Sequence, residues 1–339
     1  MKILYLATVR LPTEKAHGLQ IMKTCEALAA EGAQVTLLVP NRKSFVDDPF
    51  SYYTVAKNFE LKKLGVPDLV RWGVVGFALT VVFFSEVAKW SKEFWAADYI
   101  YSRDALVLLQ YILLGRKCVF EAHRNPTVAD QLAALHAYRV VVINAALKAR
   151  FESIGVAAQK IVVAHDAVDP IATKKTKHDL GVSEALPLVV YAGSQTAEKG
   201  FDTFEKAATI LDSHEMTIYT VYRKSPLAAR ETLAAADIVV VPNSAKFESG
   251  ARYTSPMKLF EALSSGAAVV ASDVPAIREV VDERSVWFFT PDDAESLAMV
   301  IRFALQDPER EQKIAHAKSI AARYSWQARA QTVLSFLSA

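Results

Sequence analysis

The chain has 339 residues, of which 52% are hydrophobic and 22% charged. That is enough apolar material for two cores and more length than one ordinary domain needs. A net charge of +2 speaks against a nucleic-acid binder, which carries a basic excess or a basic stripe.

The opening "MKILYLATVR" holds too short an apolar stretch for a signal peptide and reads as a first strand, Ile3–Ala7. A loop follows, then a helix from about Leu19 to Ala30 with Ile21, Cys25 and Leu28 on one face, ended by Gly32. Val35–Val39, Tyr99–Tyr101, Cys118–Phe120, Val140–Ile143 and Ile161–Val163 continue the strands. Between them Trp72–Ser85, "WGVVGFALTVVFFS", runs fourteen residues without a charge. A spanning helix needs about 20 apolar residues, so this run is too short to cross a bilayer. The simpler reading is a buried helix of the first domain. The sharper one is a monotopic contact, with Arg71, Lys89, Lys92, Trp72, Trp90 and Trp95 at the lipid interface. Cys25 and Cys118 lie far apart in no metal-ligand spacing, which fits a reducing, cytoplasmic setting.

The polar run "AHDAVDPIATKKTKHDLGVSEALP" breaks this rhythm and is placed as the linker between domains 1–165 and 170–320. Leu188–Ala192, Thr217–Tyr222, Ile238–Val241, Ala268–Ala271 and Val286–Phe289 then form a second set of strands, and the last thirty or so residues read as helical. Strands alternating with helices predict an α/β fold, two doubly wound parallel sheets facing a cleft. In such sheets ligands sit beyond the carboxyl ends of the strands.

Two stretches of the second domain could carry chemistry. In "LVVYAGSQTAEKGFDTFEKAATIL" a strand runs into Gly193, a polar loop, then Lys199-Gly200 and a helix. A lysine beside a helix N-terminus can meet phosphate oxygens, although an ordinary solvated lysine has the same spacing. The Gly-x4-Gly-Lys-Ser/Thr pattern of a P-loop is absent. In "YTSPMKLFEALSSGAAVV", Ser255 suits an N-cap, Pro256 the first helical position and Gly266 the end. Leu259, Phe260 and Leu263 share one face and Glu261 lies on the other. A pyrophosphate at the helix tip would find the free N–H groups near Ser255 and Met257. A ribose one turn along would then meet Glu261, whose carboxylate accepts bonds from two hydroxyls. The plain alternative is a solvated helical glutamate.

"YAGSQTAEKG", "AAADIVVVPN" and "YTSPMKLFEALSSGAAVVASDVPAIREVV" resemble the nucleotide-sugar domain of the family 4 retaining glycosyltransferases, which have the GT-B fold of two Rossmann-like domains. "ATVRLPTEKAHGLQIMKTCEALAAEGAQVTLLVP", "ADYIYSRD" and "CVFEAHRNP" are similar to that family's acceptor domain, and "KIVVAHDAVD" to its interdomain crossover. The resemblance covers nearly the whole chain and implies that a final helix, about 322–339, packs back on the first domain. It implies roles in turn: Glu261 on the donor ribose, Lys199 on the diphosphate, His123 near the donor sugar. Gly18, in the His17-Gly18 loop after the first strand, would approach the diphosphate. Gly193, Ser194, Tyr253, Thr254, Ser255, Met257 and Lys258 would line the donor site, with His17, Arg103 and Arg124 toward the acceptor.

The reaction implied moves a sugar from a nucleoside-diphosphate sugar to a glycan or lipid-linked acceptor with retention, and needs no cofactor. No Asp-x-Asp occurs, so no metal is expected at the diphosphate. The expected location is cytoplasmic, at the inner membrane face if 72–85 meets lipid, and no nucleic acid is expected as partner.

Three departures stand out. Tyr253 occupies the first glutamate of the family's Glu-x7-Glu pattern, with Glu248 as a nearby substitute. Ser194 replaces an arginine, whose contact Arg223 or Lys224 would have to supply. "DSHEMTIYTVYRKSP" has room for one strand where the family has two with a helix between. These motivate an alternative, a nucleotide-sugar-binding protein with weak or lost transfer. A dinucleotide oxidoreductase is disfavoured because no Gly-x-Gly-x-x-Gly follows the first strand.

Overall fold

The computed structural model describes residues 1–171, 175–211 and 215–339. The chain forms two compact units, Met1–His165 with Trp326–Ala339, and Asp166–Ser325.

In the first unit, strands β1 (Lys2–Leu6), β2 (Gln34–Pro40), β3 (Glu60–Leu64), β4 (Tyr99–Ser102), β5 (Cys118–Ala122), β6 (Arg139–Val142) and β7 (Ile161–Val163) make one sheet in the order β3-β2-β1-β4-β5-β6-β7. Every pairing is parallel. Strand order reverses between β1 and β4, which opens a crevice at their carboxyl ends. β3, "ELKKL", is an addition to the predicted strands. Its three charges hide it from a search for apolar runs, and as an edge strand it needs only one pairing partner. The terminal helix Trp326–Ser338 belongs to this unit and is tied to the helix Ala16–Ala30 side by Gln327 and Gln331, which donate to Glu31 at 2.8 and 3.0 Å.

The uncharged run departs from its simpler reading. The helix Gly73–Lys89 is not enclosed, for Val74, Val75, Leu79, Val82, Phe83 and Val87 are all exposed. With the preceding turn, apolar helix extends over Val70–Lys89, 20 residues, long enough to cross a membrane by length and composition alone. The uncharged run understated it because Arg71, Glu86 and Lys89 sit at its ends and bound the count.

In the second unit, β8 (Leu188–Ala192), β9 (Thr217–Val221), β10 (Ile238–Val241), β11 (Ala268–Ser272) and β12 (Trp287–Phe289) form a parallel sheet ordered β12-β11-β10-β8-β9. Alternate residues of the central strands feed the two cores. Leu188, Val190, Val239, Val241 and Val269 face one side, and Val189, Tyr191, Ile238, Val240 and Val270 the other. Between the helix Phe201–Ile210 and the helix Pro226–Leu233, β9 is the one strand among the described residues. The switch point here lies between β8 and β10, so the loops after those strands bound this unit's crevice.

Candidate functional site

The first unit's crevice holds a cavity of about 210 Å³ at the carboxyl ends of β1, β4 and β5. Its lining includes His17, Arg103, Glu121, His123, Arg124 and Asp130. At its base Glu121, on β5, is 1% exposed. Gln20 Nε2 donates to Glu121 Oε1 at 2.6 Å and Arg329 Nη2 to the same oxygen at 2.7 Å. His123 Nε2 bonds that oxygen as well, and the Tyr101 hydroxyl donates to Oε2. Arg103 Nη1 reaches the cluster through Gln20 Oε1 at 2.8 Å. Burial works to raise the Glu121 carboxyl, but Arg329 and His123 outweigh it and hold the group well below the usual carboxylate range. The imidazole of His123 is thereby held by Nε2, at the cavity wall. Burial, with Arg103 and then Lys15 and His123 adding, lowers His17 to about 4, so that ring is neutral at physiological pH. Arg124 reaches Asp130 at 3.3 Å, while Asp130 closes a capping box with Thr127 at the start of the helix Val128–His136.

Gly18 departs from its expected setting. It lies in the first turn of the helix Ala16–Ala30 and not in a loop. A Cβ there would stand 2.1 Å from Tyr53 Oη and 2.6 Å from Thr13 Cγ2. Tyr53 Oη in turn accepts from the Thr13 N–H at 2.7 Å. Close packing inside the first unit is therefore reason enough for a glycine at this position.

In the second unit the start of the loop after β8 is fixed by two hydrogen bonds. Gly193 N–H donates to Val221 O at 3.2 Å and the Tyr191 hydroxyl to Ser194 O at 2.6 Å. Gly200, at φ +69°, ends the loop, and a Cβ there would meet the Pro242 carbonyl oxygen at 1.5 Å, so only glycine fits. Lys199 Nζ lies 3.9 Å from Glu198. Lys258 Nζ donates to Lys199 O at 3.2 Å and stands 5.5 Å from the Tyr191 ring centre. Burial pushes the Lys258 ammonium well down, and the charge of Lys199 adds to the fall, with Glu198 opposing. Two lysines thus crowd the start of the helix Met257–Ser265, where an anion would favour the charged form of Lys258.

That helix begins differently from expectation. Met257 is its first residue, Pro256 precedes it, and Ser255 does not cap it. The Ser255 hydroxyl accepts the Asp166 N–H at 2.9 Å instead, so its buried oxygen joins two segments of the unit. The N–H groups at the helix start consequently lack the cap that the sequence offers them. Tyr253 and Thr254 are half-buried just before it, while Glu248 is exposed at the start of the short helix Glu248–Ala251. Arg223 follows β9 with φ 54°, exposed, its guanidinium 5.0 Å from the Tyr222 ring.

Glu261 is half-buried, one turn into this helix. Among the described residues its carboxylate makes no hydrogen bond or ion pair. Arg230 is its nearest charge influence, but that guanidinium is engaged with Asp169 O at 2.9 Å and Pro170 O at 2.8 Å. Burial accordingly lifts the Glu261 carboxyl to about 7, against the pull of Arg230.

His17, Arg103, His123 and Arg124 therefore surround one cavity in the first unit, and Lys199, Lys258, Met257 and Glu261 share one helix and its neighbouring loop in the second. Sequence reasoning missed Glu121, Gln20, Tyr101 and Arg329. The signal for Glu121 was an acid inside "CVFEA", a strand otherwise free of charge. Arg329 carried no such signal, since its partner is 208 residues away.

Residues 188–307 match the family model described as Glycosyl transferases group 1. No curated protein matched the sequence. Among solved structures, sucrose-phosphate synthase from Thermosynechococcus elongatus superposes with a TM-score of 0.77 at 15% identity, covering 99% of this chain and 98% of its own. HepE of Anabaena, in complex with UDP-glucose, gives 0.71 at 17% identity over 100% of this chain and 99% of its own. WaaG, a glycosyltransferase involved in lipopolysaccharide biosynthesis, gives 0.68 at 14% over 98% of each chain. The chain thus has the two-sheet α/β fold of GT-B glycosyltransferase structures, and its residues 188–307 carry the sequence pattern of the group 1 glycosyl transferases.

Proposed function

We propose that this protein moves a sugar from a nucleoside-diphosphate sugar to an acceptor hydroxyl, with retention of anomeric configuration and without a metal. The observation that carries the donor reading is Glu261, a half-buried carboxylate with no partner among the described residues, one turn past a helix start crowded by Lys258 and Lys199. A nucleoside diphosphate supplies what both ends of this arrangement lack. Its phosphates neutralise the lysines and meet the uncapped N–H groups, and its ribose hydroxyls donate to Glu261. The match over residues 188–307 and the likeness to HepE, solved with UDP-glucose, support the same reading.

The hard step is departure of the diphosphate as charge gathers on its oxygens. Lys199, Lys258 and the helix N–H groups are fixed before that charge develops, and so stabilise it without rearrangement. The absence of an Asp-x-Asp sequence and the presence of these lysines support metal independence. Retention rests on the resemblance to family 4. The cavity of His17, Arg103, His123 and Arg124 offers donors for a hydroxyl-rich acceptor, a glycan or a lipid-linked sugar. The two unpaired cysteines support a cytoplasmic location.

Tyr253 favours a second reading, a nucleotide-sugar binder with little or no transfer, because a phenol replaces a carboxylate at the expected sugar contact. Ser194 and the one strand between the helices Phe201–Ile210 and Pro226–Leu233 point the same way. A thermal-shift panel of nucleoside-diphosphate sugars, followed by product analysis with an acceptor extract, separates the two. Stabilisation with transfer supports the enzyme, and stabilisation without transfer or donor hydrolysis supports the binder. Glu261→Ala should weaken donor binding by about 1–3 kcal/mol in calorimetry, as for loss of hydrogen bonds to a charged group. Unchanged affinity would remove Glu261 from the site.

A further inference from the structure

The helix Gly73–Lys89 carries apolar side chains on its outer side as well as on the side that packs into the unit, which does not suit a protein that meets only water. The stripe it turns inward is Gly76, Thr80, Val81, Phe84, Ser85 and Ala88, three of which are glycine or hydroxyl residues. The stripe it turns outward is Val74, Val75, Leu79, Val82, Phe83 and Val87, with Val74 86% exposed. Val81 and Phe84 are buried, but leaving the valines, Leu79 and Phe83 of the outer stripe in water forfeits the usual stabilisation of about 25 cal/mol per Å² unless something else covers that face. Tryptophans mark both ends, Trp72 at 58% and Trp90 at 88% exposure. The neighbouring helix Ala105–Ile112 enlarges the apolar surface. Its Gln110 Nε2 donates to Ser85 Oγ at 3.1 Å, and exposed Leu106 and Leu113 fall on the same helical face as Gln110, four residues before and three after.

We propose that this face of the first unit lies in the surface of a lipid bilayer carrying anionic headgroups, the helix parallel to the membrane plane. At ~1.5 Å per residue its seventeen residues give an apolar edge of roughly 25 Å, with an indole at each end where interfacial tryptophans settle. The charges at its ends fit headgroups better than a protein partner. Arg71 and Lys92 flank the apolar edge, and the nearby acids are already engaged: Glu86 with Lys89 at 2.6 Å and Glu93 with Lys62 at 2.7 Å. A second copy of the chain, docked through the same face, would bring these cations together. The helix does not cross the bilayer, because its inward stripe is tied into the unit. The Tyr111 hydroxyl donates to Ser85 O at 2.8 Å, and Thr80 Oγ1 accepts the Leu69 N–H at 3.2 Å. Spanning would strip these bonds in a solvent that offers none. This inference stands apart from the donor reading, since neither Glu261 nor Lys199 enters it.

Sedimentation of the full-length protein with vesicles tests it. About one-third anionic lipid in a zwitterionic background should bring the protein down, with weaker binding to purely zwitterionic vesicles and in about 1 M salt. Tryptophan emission should shift to the blue on binding. The variant Trp72→Ser/Phe83→Ser/Trp90→Ser, whose changes fall on exposed positions, should keep its melting temperature and lose vesicle partitioning by about tenfold or more. Failure of the unaltered protein to sediment overturns the proposal. So does equal binding by the triple variant, retention in the membrane after alkaline carbonate extraction, or a stable dimer in solution that the triple variant dissociates.

Discussion

Two glutamates, one in each unit, lie out of bulk water and behave in opposite ways. Glu121 is enclosed and receives bonds from Gln20, Arg329, His123 and Tyr101. Its charge is settled by the protein itself, and its carboxyl sits below the usual range. Glu261 is less enclosed, yet it has no partner among the described residues and its carboxyl rises to about 7. Burial raises both, and only the presence of compensating charge separates them. A carboxylate satisfied from within positions its neighbours, here the His123 ring. One left unsatisfied in a crevice loses stability in the free protein that a ligand with the right donors can restore.

The largest expected effect breaks the comparison on the satisfied side. Arg329→Ala would leave Glu121 enclosed with its strongest counter-charge gone, and should destabilise the first unit by about 3–5 kcal/mol in denaturant unfolding. Combining it with Glu121→Gln, which removes the orphaned charge, should recover much of that loss. A cost below about 1 kcal/mol for Arg329→Ala would mean that Gln20, Tyr101 and His123 suffice, and that the terminal helix is not tied to the cavity through charge.

A smaller effect sharpens what the cluster is for. If Glu121 and Arg329 orient His123 toward a sugar, His123→Ala should lower turnover by roughly tenfold to a hundredfold, the equivalent of a hydrogen bond to a charged or developing-charge centre. Donor affinity, measured by calorimetry on the same variant, should change by less than about twofold, because the donor's nucleotide is assigned to the other unit. Equal losses in turnover and affinity would place His123 in nucleotide binding instead.

The two glutamates also mark how much the sequence discloses. The place of Glu261 was legible because its signals are local: an apolar stripe on Leu259, Phe260 and Leu263, and a glutamate off that stripe within one helix. The sheets were legible for the same reason, as short β-branched runs such as Ile238–Val241 are their own evidence. Glu121's environment was not legible, because its partners come from β4, the helix Ala16–Ala30 and the terminal helix, brought together by topology. Strand β3 was hidden by its own charges. Ser255 misled, since the rules for helix starts describe local competition for N–H groups, and a distant amide, that of Asp166, won. The run within the helix Gly73–Lys89 left buried and lipid-facing readings open, because composition reports how apolar a segment is and not which way each side chain turns.

The account rests on Glu261 meeting the hydroxyls of a nucleotide, and the pH dependence of binding tests this most directly. The ionised carboxylate accepts from two hydroxyls through both oxygens and more strongly than the protonated acid, which turns one oxygen into a donor, so binding favours the charged form of a group that titrates near 7 in the free protein. The nucleoside-diphosphate sugar that stabilises the protein most in the thermal-shift panel is the suitable probe, as its pyrophosphate is esterified at both ends and keeps its charge across this range. Its affinity for the unaltered protein should rise by up to about tenfold between about pH 6 and pH 8, with proton release on binding. Glu261→Gln should flatten that rise and bind more weakly at the upper end, which separates Glu261 from Lys258, whose loss of charge on raising pH works the other way. A profile unchanged by the glutamine, or an affinity that the substitution leaves intact at every pH, would contradict the account.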